Sequence, residues 1–110
     1  MLPAASRPQT ADVARFLAQS TFGPVNAEEV ATVQSYGFEA WLARQFEAPA
    51  SSHLDYLRRQ AARTEDGRPT EEMSYEAVWQ QWLYGNDQLR ARVAFALGQI
   101  FVISNIAPDL

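Results

Sequence analysis

The sequence predicts an all-α domain of about six short helices packed around a central apolar C-terminal helix (87–104), and three observations support it. Apolar residues recur at helical spacing through most of the chain. Capping residues and Gly or Pro stops bracket each periodic run. The longest apolar stretch, from Val93 to Ala107, keeps the helical spacing set from Leu89 with no turn signal inside it. With 110 residues, 47% hydrophobic and 20% charged, the chain fits one core and has no room for a second. Residues 1–9, which include Pro3 and Pro8, read as a flexible N-terminal segment and residues 10–110 as a single helical domain.

The first helix is capped by Thr10, complements its dipole with Asp12 and turns Val13, Phe16 and Leu17 to one side before Gly23 and Pro24 stop it. Asn26 caps the second, which carries Glu28 and Glu29 in its first turn, Val30 and Val33 on its apolar stripe and Gly37 as a left-handed terminator. The third presents Phe38, Trp41, Leu42 and Phe46 inward and stops at Pro49. Ser51 or Ser52 caps a peripheral fourth helix with Leu54, Leu57 and Ala61 inward and Arg58, Arg59 and Arg63 outward. Residues 64–70 (TEDGRPT) break the pattern as a second flexible stretch. Tyr75, Val78, Trp79, Trp82 and Leu83 then mark a fifth helix that Gly85 ends, and Asn86 or Asp87 caps the sixth. The sixth helix carries Leu89, Val93, Phe95, Leu97, Ile100, Phe101, Val102 and Ile106 on more than one face, which predicts burial on several sides. Ile100 to Ile103 (IFVI) has strand-like composition, but its continuity with the upstream spacing favours helix.

Composition excludes several function classes. Without cysteine there is no disulfide framework, thiolate metal site or cysteine nucleophile. Nine Lys+Arg against 13 Asp+Glu give a net charge of −4, the wrong sign for a domain that lives on phosphate backbones. The N-terminal MLPAASRPQTADVARF lacks the basic and apolar regions of a secretory signal, so the chain as given is not addressed for export and its compartment is left open. The stretch from Val93 to Ala107 is interrupted by Gln99 and falls short of the roughly 20 residues a membrane span needs.

No candidate chemistry outweighs its ordinary explanation. His53 is the single imidazole, and Asp55, two residues on, points elsewhere on a helix. Glu65, Asp66, Glu71 and Glu72 flank Gly67 without calcium-loop spacing, and Arg68 and Pro69 stand where ligands are needed. None of Ser20, Ser52, Ser74 and Ser104 lies in a G-x-S-x-G elbow. The helix pair joined at Gly37 resembles a helix-turn-helix, but its reading helix sets Glu39 and Glu47 against Arg44 alone. Arg58, Arg59, Arg63 and Arg68 form a solvated basic cluster, with an anionic partner or glycan as the functional alternative. Arg90 and Arg92 enter an apolar helix, so at least one needs a carboxylate or carbonyl partner, and Asp87 is three residues from Arg90. Trp41, Trp79, Trp82, Tyr75, Tyr84, Phe38 and Phe46 are mainly core by their spacing, with a carbohydrate or lipid groove as the alternative for any that prove exposed. No catalytic residue, cofactor or metal is assigned.

The segments RFLAQSTFGP (Arg15–Pro24), GFEAWLARQFEAP (Gly37–Pro49) and DQLRARVAFALGQIFVIS (Asp87–Ser104) resemble, in that order, the N-terminal part of the bacterial "domain of unknown function 1800" family. That family is typically several times longer and often exported, so the resemblance implies a fragment or a naturally short member. It brings no catalytic residues onto these positions. Two functions follow as expectations: a non-catalytic structural or protein-interaction module, or the N-terminal fragment of a larger, exported, hydrolase-like enzyme whose active site lies outside this chain. The first predicts self-association, or a partner segment, at Phe101, Val102, Ile103 and Ile106, with no nucleic acid and no membrane span.

Overall fold

A computed structural model describes residues 1–23 and 26–101. A 3-10 turn (Ala4–Ser6) precedes six α-helices: α1 (Thr10–Ser20), α2 (Ala27–Tyr36), α3 (Phe38–Glu47), α4 (His53–Ala61), α5 (Glu71–Tyr84) and α6 (Gln88–Phe101). There is no strand among the described residues, and Ile100 and Phe101 are helical; Val102 and Ile103 lie outside them. The chain is therefore all-α.

Most helix ends follow from their capping side chains. Asn26 Oδ1 accepts the Glu29 amide at 2.8 Å and Ser52 Oγ accepts that of Asp55 at 3.1 Å, so Ser52 and not Ser51 starts α4. Thr70 Oγ1 does the same for Met73 at 3.3 Å. At Gly37 φ is +88°, a value that side chains disfavour, and this one residue ends α2 and begins α3. A Cβ there would lie 3.0 Å from Leu2 Cδ1, because the N-terminal segment crosses this turn with the Leu2 amide donating to the Ser35 carbonyl at 2.6 Å. The expected Thr10 cap is displaced by one residue. Gln9 takes the capping position without a side-chain bond, while Thr10 Oγ1 accepts from Gln34 Nε2 of α2 at 3.0 Å. The end of α1 comes at Ser20, ahead of Gly23, because Thr21 Oγ1 turns back to the Leu17 carbonyl at 2.8 Å.

The core is formed by Val13, Leu17, Val33 and Trp41, with Phe16, Val30, Phe38, Leu42 and Leu89 packed against it. Phe16 ties α1 to α3, its ring centroid 4.7 Å from Phe38 and 5.1 Å edge-on from Trp41. These residues come from α1, α2, α3 and the first turn of α6, whereas α4 packs on α5 and α5 on α6. Extents of 59 × 31 × 21 Å and a radius of gyration of 17.7 Å make the molecule elongated, against about 13 Å for a compact chain of this size.

The expected central helix is a correction. In α6 only Ala91 is buried, and every residue from Val93 to Phe101 is exposed, Ile100 by 72% and Phe101 by 70%. Leu89 reaches the core, but no other helix among the described residues covers the outer sides of the residues beyond Arg92. The same holds for Phe46, 72% exposed at the end of α3, and for Leu54, Tyr75, Trp79 and Leu83, all placed inward by their spacing and all exposed.

Candidate functional site

His53 opens α4, and its Nε2 lies 3.0 Å from Ser74 Oγ on α5. Among the described residues this is the one Ser–His pair that the fold makes from the sequence candidates, and it joins two helices. Ser74 sits in a regular helical turn and not on a strained elbow. Among the described residues no carboxylate bonds the other ring nitrogen of His53, so the orienting third group of a triad is missing. Asp55 turns away to Arg58 at 3.7 Å.

The acidic loop is a closed turn. Asp66 Oδ1 accepts from Thr64 Oγ1 at 3.1 Å and from the Arg68 amide at 3.2 Å, and these bonds hold its carboxyl below the ordinary value. Glu71 Oε1 accepts instead from the Tyr75 hydroxyl at 2.8 Å. Among the described residues no group of three His, Asp or Glu is placed to hold a metal ion.

The densest polar construction is the junction between α5 and α6, where Asp87 is 1% exposed. Its Oδ2 accepts the Ser51 amide at 2.7 Å and its Oδ1 the Ser51 hydroxyl at 2.5 Å. Burial pushes the Asp87 carboxyl up, but the Ser51 bonds, with Arg90 nearby, outweigh it and leave the group below the usual carboxylate range. Arg90 is 3.6 Å from that carboxylate and donates to the Ala48 carbonyl at 3.0 Å. The sequence expectation of a clamp at Asp87 and Arg90 thus matches the geometry, though the carboxylate serves Ser51 more than the α6 amides. The cap of α6 comes from elsewhere: Gln45 Oε1 of α3 accepts the Leu89 amide at 3.0 Å. Gln88 completes the joint, its Nε2 shared by the carbonyls of Gln81, Trp82 and Gly85 and its Oε1 accepting the Phe22 amide at 3.1 Å. Gly85 is required here, since a Cβ would lie 2.5 Å from the Gln81 carbonyl oxygen and 3.1 Å from Asp87 Oδ1. Ser51 and Gln45, and Gln88 in its bond to Phe22, carry no sequence signal for these roles, because those partners are 36 to 66 residues away.

The aromatic residues form two clusters, with Phe46, Tyr75 and Tyr84 exposed outside both. Phe38 and Trp41 are core, while Phe22 stacks on Trp82 at 4.4 Å, with Phe95 and Trp79 edge-on to Trp82 at 5.6 and 5.5 Å. Arg92 covers the Phe22 ring, its guanidinium carbon 5.1 Å from the centroid, and its Nε donates to the Gln19 carbonyl at 3.2 Å. Both arginines of α6 therefore end on carbonyls of neighbouring segments.

Beyond the junction, Leu89 and Val93 form a ridge on α6 with a hollow on each side. One hollow, of ≈ 350 Å³, lies toward Phe46 and Leu97; the other, of ≈ 520 Å³, lies toward Gln19, Phe95 and Ala96. The run Val93–Phe101 carries no charge. Among the described residues no helix is long and apolar enough to cross a membrane.

The family described as "Protein of unknown function (DUF1800)" matches residues 15–108, a span that takes in all three of the quoted segments. No match is found among curated proteins or among solved structures. The matched span runs from the middle of α1 past Phe101 and contains the core apart from Val13, the polar junction and the exposed ridge. The chain belongs to the DUF1800 family of proteins of unknown function.

Proposed function

We propose that residues 10–110 act as one non-catalytic helical module that works by docking, and that its docking surface is the apolar ridge of α6. The observation that carries this reading is the uncharged run from Val93 to Phe101, exposed at every position. Exposed apolar side chains standing together mark interaction sites far more than singly scattered ones do. Of the patch expected from the sequence, Phe101 belongs to this face, and Val102, Ile103 and Ile106 lie outside the described residues.

The occupant that fits is a second copy of the chain. A ridge flanked by two hollows is self-complementary: the exposed Val93 of one copy fills a hollow of the other, and a two-fold axis makes the exchange reciprocal. No charge within Val93–Phe101 opposes a like charge across the axis. Light scattering after size-exclusion chromatography, over a concentration series, is expected to show a monomer–dimer equilibrium. A Val93→Glu, Leu97→Glu double variant is expected to stay monomeric with unchanged helicity. A wild-type monomer at high concentration that binds no apolar dye overturns the docking surface. Turnover by this chain that His53→Ala abolishes overturns the non-catalytic reading, and turnover confined to longer family members supports an enzyme whose active site lies elsewhere.

A further inference from the structure

A second surface, remote from α6 in character, lies between α4 and α5. An open groove of ≈ 360 Å³ runs there from the Ser51–Ser52 linker to Gly85, within the size range of small-ligand sites. Its floor is Ala77, 4% exposed, whose small side chain leaves the space above it unfilled. Its walls carry Tyr56 and Arg59 from α4 and Gln80, Gln81 and Tyr84 from α5. The hollows of α6 are lined mainly by aliphatic carbon; this groove offers a guanidinium, two carboxamides and two phenol rings.

Most polar groups of the neighbourhood are already engaged. The Tyr56 hydroxyl donates to Glu76 at 3.3 Å, His53 meets Ser74 at 3.0 Å and Arg58 is 3.7 Å from Asp55. The Tyr56 hydroxyl thus points at Glu76, and Arg58 does not line the groove. Arg59 takes part in no ion pair among the described residues, and Tyr84 is 73% exposed at the far wall.

We infer that this groove binds a carboxylate-bearing saccharide. Each wall group matches one part of such a ligand. Arg59 presents a planar fork that pairs a carboxylate through two parallel hydrogen bonds. Gln80 and Gln81 each combine donors with an acceptor, which suits vicinal hydroxyls that both give and take a hydrogen bond. Tyr56 and Tyr84 supply flat faces for the C–H side of a pyranose ring. A lipid or apolar ligand finds no comparable surface, because the one buried hydrophobic residue of the lining is an alanine. The inference stands apart from the α6 docking surface and shares no lining residue with it.

The test is calorimetric titration of the full chain with trigalacturonate, with backbone amide shifts recorded in parallel. Maltotriose, acetate and tetraglutamate serve as separate probes for the sugar alone, the carboxylate alone and an acidic peptide. The expected result is saturable binding of trigalacturonate with shifts centred on α4 and α5, weakened at least about tenfold by Arg59→Gln and by Tyr84→Ala. Circular dichroism of both variants is expected to match the wild type, since both side chains lie on the surface. Absence of trigalacturonate binding overturns the inference. So does equal binding of maltotriose, acetate or tetraglutamate, or an affinity that Arg59→Gln leaves unchanged.

Discussion

Replacing Trp41 by alanine is expected to lower the free energy of unfolding by about 3–5 kcal/mol, the usual cost of deleting a buried large aromatic side chain. Trp41 is 3% exposed and packs edge-on against Phe16, within the cluster of Val13, Leu17 and Val33 that joins α1, α2 and α3. Its removal leaves a cavity where three helices meet, and the single-residue joint at Gly37 restricts how far α2 and α3 can close over it. Urea denaturation followed by circular dichroism measures the loss. Ile100→Ala, studied at dilutions where the chain is monomeric, is the contrasting substitution. At 72% exposure it should change stability by no more than about 0.5 kcal/mol. Equal losses at both positions would place the core on α6 and contradict the fold described above.

That contrast shows where reading the sequence succeeds and where it stops. Caps are local, so Asn26, a serine at 51 or 52 and the positive φ of Gly37 were legible from the few residues around them. The inward stripe of Val13, Leu17, Val33 and Trp41 was legible because helical spacing reports which side chains share a face. Spacing does not report what lies opposite that face. Phe46 and Ile100 continue apolar stripes in the sequence and meet solvent in the fold, since no described helix covers the ends of α3 and α6. The polar joint was half legible. The pairing of Asp87 with Arg90 follows from their separation of three residues, whereas the partnerships of Gln45 with Leu89 and of Gln88 with Phe22 arise only once α1, α3 and α6 have been brought together.

Asp87→Ala is expected to cost about 2–4 kcal/mol, because removing one member of a buried charged network leaves its partners unpaired. The Ser51 amide and hydroxyl lose their acceptors at 2.7 and 2.5 Å, and Arg90 keeps only the Ala48 carbonyl. The linker between α3 and α4 is thereby released from the start of α6. Asp87→Asn keeps the shape and one acceptor oxygen, so it should cost less while removing the charge. The two variants separate packing from ionisation through their response to pH. The carboxyl of Asp87 is held below its ordinary value in the folded chain, so its contribution is fully present above the unfolded-state value of roughly 3.9. Folding loses that contribution as pH falls through the lower folded value, where the native carboxylate takes up its proton. Wild-type stability measured in urea should therefore be flat near neutrality and fall below about pH 4, and Asp87→Asn should flatten much of that fall. The exposed Asp66 and Glu72, also held below their ordinary values by local hydrogen bonds, leave a shallower residual slope of the same sign. An acid limb as steep in Asp87→Asn as in the wild type would mean that the buried carboxylate is not what joins α6 to the body of the molecule.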